Sequence, residues 1–193
     1  MKWPPAGGHF LFVYPSAMSI DVANIYLIGP MGSGKTAVGR QLAKLLRLQF
    51  YDSDSEIERR CGVDIPYIFE REGEAGFRDR ECEVIDALTQ LSNVVIATGG
   101  GAVLRPENRE RLSARGHVVY LKTSIEQQLE RTRHGRQRPL LYTADPEAKL
   151  RELMELRAPL YESLAKATVA TDGRAVRAVA EEIVQLLKEP VSS

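Results

Sequence analysis

The chain has 193 residues, 44% of them hydrophobic, which suits one compact domain with a sizeable core. Its 26 lysines and arginines balance 26 aspartates and glutamates, so net charge gives no reason to expect nucleic acid or an anionic membrane as a partner. The two cysteines, Cys61 and Cys82, form neither a disulfide framework nor a metal-binding pattern, which favours a cytoplasmic location.

The first 20 residues differ from the rest in composition. They contain three prolines, two glycines and one short apolar run at 10–14, which is too short for the core of a signal peptide. No run elsewhere in the sequence approaches the length of a membrane span. We expect residues 1–20 to be a disordered leader and residues 21–190 to form a single domain.

Short apolar runs predict five buried strands, at 24–28, 48–51, 94–97, 117–121 and 168–171. Apolar residues at helical spacing lie between these runs, and Ser124 is a plausible N-cap for the helix that carries Ile125 and Leu129. Alternating strands and helices predict a parallel sheet covered on both faces. In such sheets ligands bind at the carboxyl ends of the strands, where the motifs described next occur.

The first motif, GPMGSGKT at Gly29–Thr36, matches the phosphate-binding pattern G-x-x-x-x-G-K-[ST]. Backbone N–H groups of such a loop approach phosphate oxygens, Lys35 supplies a cation for the β- and γ-phosphates, and Thr36 offers a hydroxyl to Mg²⁺. A glycine-rich turn that binds nothing is disfavoured by the strand before the loop and the helix after it. The predicted contacts to a nucleoside triphosphate are Gly32, Ser33, Gly34, Lys35, Thr36 and Ala37.

Two carboxylates, Asp52 and Asp54, follow the second predicted strand. Placed beside a triphosphate they need a cation or a hydroxyl donor to offset the repulsion. Asp54 is a candidate to hold, and to deprotonate, an acceptor hydroxyl, and Asp52 is a candidate Mg²⁺ ligand through water. The alternative is that the pair caps a helix beginning near Glu56.

Three consecutive glycines, Gly99, Gly100 and Gly101, follow the third predicted strand. Such a run costs chain entropy on folding and is favoured where backbone must approach a ligand closely. An ordinary flexible turn is the alternative.

Two arginines outside the loops are further candidates. Arg78 and Glu81 are three residues apart on a predicted helix, a spacing that usually gives a solvated surface pair. Arg157 lies in RAPLY, where Pro159 is expected to end a helix. Taken alone, both arginines have a surface role as the simpler interpretation.

The stretch RTRHGRQR at 131–138 has four arginines in eight positions. An RNA-binding patch is one interpretation, but the neutral total charge and the lack of interleaved aromatic residues argue against it. A mobile lid that brings arginine to phosphate charge fits better.

Together, the motifs GPMGSGKT, FYDSDSEIE, GFRDRE, ATGGGAV, RQRPLL and RAPLY, in this order, resemble the shikimate kinase family from about residue 24 to residue 187. The resemblance implies a three-layer α/β/α P-loop fold of the nucleoside-monophosphate-kinase type with a five-stranded parallel sheet. It implies Mg²⁺-dependent transfer of the γ-phosphate of ATP to the 3-hydroxyl of shikimate, on the route to chorismate and the aromatic amino acids. It also favours a monomer.

The resemblance assigns roles to matching positions. The catalytic residues would be Asp54 as base, Lys35, and Arg138 in a lid at about 131–145, with Arg131 near the adenine. The substrate-binding region, at about 52–82, would place Asp54 on the shikimate hydroxyls and Arg78 on its carboxylate. The remaining substrate contacts would be Arg157 on the carboxylate, the glycine run Gly99, Gly100 and Gly101, and the walls Phe69 and Phe77.

The sequence leaves two other functional classes open. One is another small-molecule kinase on the same scaffold, such as a gluconate kinase. The other is a nucleotide-binding module that has lost catalysis, although Lys35, Thr36 and Asp54 argue against it.

Overall fold

The computed structural model describes residues 24–133 and 144–188. Its strands form one parallel sheet in the order β2-β3-β1-β4-β5. The strands are β1 (Asn24–Ile28), β2 (Gln49–Asp52), β3 (Val94–Ala97), β4 (His117–Lys122) and β5 (Ala167–Ala170). The helices are α1 (Lys35–Leu46), α2 (Ser53–Cys61), α3 (Ile65–Thr89), α4 (Pro106–Arg115), α5 (Ile125–Thr132), α6 (Pro146–Leu164) and α7 (Val176–Leu186), with a 3-10 turn at Ala102–Leu104.

The central strand β1 separates two hydrophobic cores because successive side chains point to opposite faces of a sheet. Ile25 and Leu27 face a core that α1 and α7 cover, whereas Tyr26 and Ile28 face a core that α3, α4 and α6 cover. All five residues of β1 are buried. The arrangement confirms the predicted three-layer α/β/α fold and its five-stranded parallel sheet.

The helix α6 departs from expectation, since it continues through Pro159 to Leu164. The prediction that Pro159 ends the helix was wrong. A proline inside a helix removes one backbone hydrogen bond, at a cost of about 3 kcal/mol. Burial of Tyr161 and packing of Leu160 against the core offset that cost.

The long helix α3 is interrupted at Gly73, where φ is +69° and ψ is −176°. The segment before the break carries Phe69, and the segment after it carries Phe77, Arg78 and Glu81. The break therefore divides the wall of the cavity described below between two helical segments.

The predicted N-cap is confirmed, because the Ser124 side chain accepts a hydrogen bond from the backbone N–H of Gln127. Among the helices of the described ranges, none is long and apolar enough to cross a membrane. The expected leader at 1–20 and residues 134–143 of the expected lid lie outside the described residues.

Candidate active site

A cavity of about 540 Å³ opens at the carboxyl ends of β1, β2 and β3. The phosphate loop forms one end of it, and the start of α2, both segments of α3 and the glycine run form the other. The cavity brings together most of the residues expected to act, namely Gly32, Gly34, Lys35, Thr36, Ala37, Asp52, Asp54, Phe69, Phe77, Arg78, Gly99, Gly100, Gly101, Arg131 and Arg157. Ser33 lies in the same loop and is buried. Arg138 lies outside the described residues.

The phosphate loop owes its shape to glycine. Gly29 has φ +142°, and a Cβ there would lie 2.5 Å from the carbonyl oxygen of Leu121. Gly34, at φ +87°, directly precedes α1, so the positive end of that helix points into the loop. Lys35 Nζ donates to the carbonyl oxygens of Gly29 and Pro30, at 2.9 and 2.7 Å, which keeps the ammonium group over the loop.

Asp52 caps α2, as one of the two alternatives predicts, and also contacts the phosphate loop. Its Oδ1 caps α2 by accepting from the backbone N–H groups of Asp54 and Ser55, at 3.1 and 3.3 Å. Its Oδ2 accepts from the Thr36 hydroxyl at 2.6 Å, at the mouth of the phosphate loop. The cap therefore orients the carboxylate towards the place where a triphosphate would bind.

These oxygen donors fit Mg²⁺. The ion prefers oxygen ligands and usually keeps several waters, so one hydroxyl and one carboxylate beside phosphate oxygens suffice. Within residues 24–133 and 144–188 no cluster of three or more His, Cys, Asp or Glu side chains offers a fully protein-built metal site. Thr36 and Asp52 are the residues that would hold the ion.

A second pair of carboxylates, Asp54 and Glu81, flanks Gly99. A Cβ on Gly99 would lie 2.6 Å from Asp54 Oδ1 and 2.6 Å from Glu81 Oε1, so the two oxygens are at most twice that distance apart. Both oxygens are buried and lack a hydrogen-bond partner in the described part of the chain. Burial, then the charges of Glu81 and Asp52, raise the pKa of Asp54 to about 7 against the opposing effects of Lys35 and Arg78. The other oxygen of Glu81, Oε2, accepts from Arg78 at 2.8 Å, so the unsatisfied atoms are Asp54 Oδ1 and Glu81 Oε1.

The Arg78 guanidinium is buried, with 6% of the residue exposed. It donates to Glu81 and to Glu74, each at 2.8 Å. The simpler expectation of a solvated surface pair was wrong, because the helix carries Arg78 and Glu81 on the face that packs under the glycine run. A Cβ on Gly101 would contact the Arg78 guanidinium directly.

Arg157 is also buried, at 3% exposure, so its expected surface role was wrong as well. Its Nε has no acceptor among the residues described. Burial lowers the pKa of the Arg157 guanidinium, and the positive charge of Arg78 lowers it further. A buried cation of this kind is costly unless an anion neutralises it. Two buried arginines therefore line one end of the cavity, an arrangement that can neutralise a carboxylate.

Two features complete the cavity. Phe69 and Phe77 meet at a ring-centroid distance of 4.8 Å, which gives it one apolar wall. At the far end of the phosphate loop, Arg131 donates to the carbonyl oxygens of Gly32 and Thr171, each at 3.0 Å.

The sequence patterns do not identify three residues of the site, namely Ser53, Glu81 and Tyr161. Glu81 enters the sequence prediction only as the partner of Arg78. Ser53 accepts from the backbone N–H of Gly99 at 2.9 Å, and Tyr161 donates to the carbonyl oxygen of Gly100 at 2.5 Å. The sequence feature that could have identified them is their position near predicted site residues. Tyr161, for example, lies one helical turn after Arg157.

The fold and the cavity define an ATP-dependent small-molecule kinase, in which a P-loop faces a cluster of carboxylates and arginines. A family model described as shikimate kinase matches residues 31–188. The chain belongs to the shikimate kinase family.

Comparison with individual relatives gives the same family. A shikimate kinase of Legionella pneumophila is 55% identical over 168 residues, which cover 87% of this chain and 96% of the relative. One of Halorhodospira halophila is 57% identical over 166 residues, covering 86% and 94%. The structure of an Acinetobacter baumannii shikimate kinase in complex with shikimate matches with a TM-score of 0.85 at 53% identity, covering 86% of this chain and 93% of that one. An Aquifex aeolicus shikimate kinase matches with a TM-score of 0.75 at 39% identity, covering 86% and 96%.

Proposed function

We propose that the chain transfers the γ-phosphoryl group of ATP to the 3-hydroxyl of shikimate and so forms shikimate 3-phosphate. The observation that carries the proposal is the set of unsatisfied groups in one cavity. Asp54 Oδ1 and Glu81 Oε1 lack a donor, and the Arg157 Nε lacks an acceptor, within the described ranges. Shikimate presents hydroxyls and a carboxylate on one ring, which supplies both.

The nucleotide end of the cavity binds the phosphates through the backbone of the loop and through Lys35. Thr36 and Asp52 would hold Mg²⁺, which neutralises phosphate charge when bound. Because Lys35 already lies over the loop, its ammonium group needs little rearrangement to meet the β- and γ-phosphates.

The acceptor end orients shikimate. Arg157 and Arg78 bind the carboxylate by charge-assisted hydrogen bonds, and the Phe69–Phe77 wall packs against the ring. Asp54 Oδ1 accepts the hydrogen bond of the 3-hydroxyl. As the hydroxyl oxygen bonds to the γ-phosphorus and the bond to ADP breaks, Asp54 Oδ1 takes the hydroxyl proton. The expected lid, with Arg138 and Arg131, would exclude water and add positive charge.

The experiment is a comparison of acceptors by ADP release with ATP and Mg²⁺. Shikimate, gluconate, a nucleoside monophosphate and no acceptor are tested side by side. We expect turnover with shikimate to exceed the other three by at least about 100-fold, since unpaired buried groups penalise poor acceptors. Preference for gluconate would favour the other kinase class. Tight ATP binding without acceptor-dependent turnover would favour a non-catalytic module.

The proposal extends to a cytoplasmic monomer that acts on small molecules and not on nucleic acid. The two free cysteines support a reducing compartment. Light scattering after size-exclusion chromatography checks the mass, for which 21.5 kDa is expected. A dimer mass would contradict the monomer.

A further inference from the structure

Tyr161 lies behind the acceptor end of the cavity, on the helix that carries Arg157. It is fully buried, and its ring stacks on Tyr120 with a centroid distance of 5.1 Å and an interplanar angle of 26°. Because Arg157 and Tyr161 are four residues apart on α6, their side chains lie on the same face of the helix.

The Tyr161 hydroxyl fixes the middle of the glycine run. The carbonyl oxygens of Gly99 and Gly101 accept from the backbone N–H groups of Ala102 and Leu104, at 3.2 and 3.0 Å. The Gly100 carbonyl oxygen instead accepts from Tyr161 Oη at 2.5 Å. A side chain on another element thus holds the turn at Gly100.

The same hydroxyl also interacts with Arg157. The positive charge of Arg157 and the Tyr161 hydroxyl interact electrostatically. Burial raises the pKa of Tyr161, so the hydroxyl keeps its proton and its donation to Gly100. The Tyr161 hydroxyl therefore holds the Gly100 turn by a hydrogen bond and interacts with the Arg157 guanidinium.

We propose that Tyr161 is a positioning residue for acceptor binding, which holds the Arg157 guanidinium and the Gly100 backbone in register with the substrate carboxylate. This inference rests on the proposed function. Arg157 Nη1 lies 3.7 Å from the place where a Cβ on Gly100 would be, so the guanidinium and the turn face the same part of the cavity. Loss of the hydroxyl frees the turn at Gly100 and removes a polar neighbour of the Arg157 guanidinium.

The stacked ring of Tyr120 provides a matched control. Its hydroxyl is buried and has no hydrogen-bond partner in the ranges that the structure describes. Tyr161→Phe and Tyr120→Phe each remove one buried hydroxyl from the same stacked pair, but only the first removes a link to the site. A merely structural effect of removing a hydroxyl predicts similar results for both variants.

The experiment measures steady-state kinetics and calorimetric binding of shikimate and ATP for wild type, Tyr161→Phe, Tyr120→Phe, Arg157→Ala and the Arg157→Ala/Tyr161→Phe double variant. We expect Tyr161→Phe to raise KM and Kd for shikimate about tenfold and to change those for ATP less than twofold. Tyr120→Phe should match wild type. In the Arg157→Ala background, the Tyr161→Phe change should raise the KM and Kd for shikimate by less than about threefold more, because the effects of residues that act through one another are not additive.

The outcomes separate the two proposals. Four outcomes would overturn the positioning role while the wild-type turnover stands. Two concern affinity in Tyr161→Phe: unchanged shikimate binding, or equal losses of ATP and shikimate binding. The other two are fully additive effects with Arg157→Ala and a Tyr161→Phe variant that does not fold. A wild-type chain without shikimate-dependent turnover would overturn both the proposed function and this inference.

Discussion

At the scale of single residues, the site is defined by buried polar atoms whose hydrogen-bond partners are missing. Asp54, Glu81 and Arg157 each carry a buried atom without a hydrogen-bond partner in the described chain. Such groups destabilise the free protein and are satisfied when a complementary ligand binds.

We expect Asp54→Asn to lower kcat with shikimate by at least about 100-fold, because an amide cannot accept the hydroxyl proton. ATP affinity should change less than about threefold, since Lys35 and the loop backbone bind the phosphates. Asp79→Asn on α3 is the matched control, as its carboxylate is 70% exposed. Equal losses of turnover and ATP affinity would argue against the role given to Asp54.

The same substitution should stabilise the ligand-free protein at high pH. The native pKa of Asp54, about 7, lies above its ordinary value of 3.8, so the unfolded state loses the proton first as pH rises. The penalty is absent below about pH 4 and complete above about pH 7. Asp54→Asn should therefore gain on the order of 1–3 kcal/mol at pH 8 and little at pH 4. Thermal melts in chelator-treated buffer at both pH values measure this, and a gain independent of pH would contradict the assignment.

For Arg157→Ala we expect at least a tenfold weaker shikimate affinity and nearly unchanged ATP affinity by calorimetry. Arg151→Ala on the same helix is the control, because that arginine is 55% exposed and paired with Glu147. The reverse pattern, with ATP affinity lost and shikimate affinity kept, would assign Arg157 to the nucleotide end.

At the scale of elements, the turn after β3 is built so that side chains of other elements can close on it. Asp54 comes from α2, Glu81 and Arg78 from α3, and all three approach positions where a Cβ would stand on Gly99 or Gly101. The glycine run thus serves close approach by side chains of the protein, in addition to the approach by ligand that the sequence predicts.

This geometry predicts which of two alanine substitutions in the glycine run lowers turnover more. A methyl group on Gly99 would displace both carboxylates, whereas on Gly100 its nearest neighbour would be the Met31 nitrogen at 3.4 Å. We expect Gly99→Ala to lose at least tenfold more turnover with shikimate than Gly100→Ala, with ATP binding kept in both. Initial-rate kinetics and calorimetry measure the ranking. Equal effects would show that the contacts with Asp54 and Glu81 do not constrain the site.

At the scale of the whole molecule, the cavity lies at the point in the sheet where the order of successive strands reverses. The strand order places β1 between β3 and β4, which lie on opposite sides of it, and the phosphate loop follows β1 at this switch point. Nucleotide and acceptor therefore meet at the carboxyl ends of neighbouring strands.

The sequence predicted the strands to within one residue because uninterrupted apolar runs mark buried parallel strands. It also predicted the phosphate loop, whose chemistry is local. Local sequence pattern could not predict that Arg78 and Arg157 are buried or that α6 continues through Pro159. Each of these features depends on packing against distant elements. The role of Tyr161 at Gly100 joins residues 61 positions apart, which no short motif reveals.

The measurement that tests the central claim most directly is identification of the product by phosphorus NMR. ATP, Mg²⁺, shikimate and the chain are incubated, and the destination of the γ-phosphoryl group is determined. We predict one new phosphomonoester signal, on the 3-oxygen of shikimate, in equal amount to the ADP formed. Free phosphate alone, or a phosphomonoester at another position, would contradict the proposed arrangement of Asp54 and Arg157 around the acceptor.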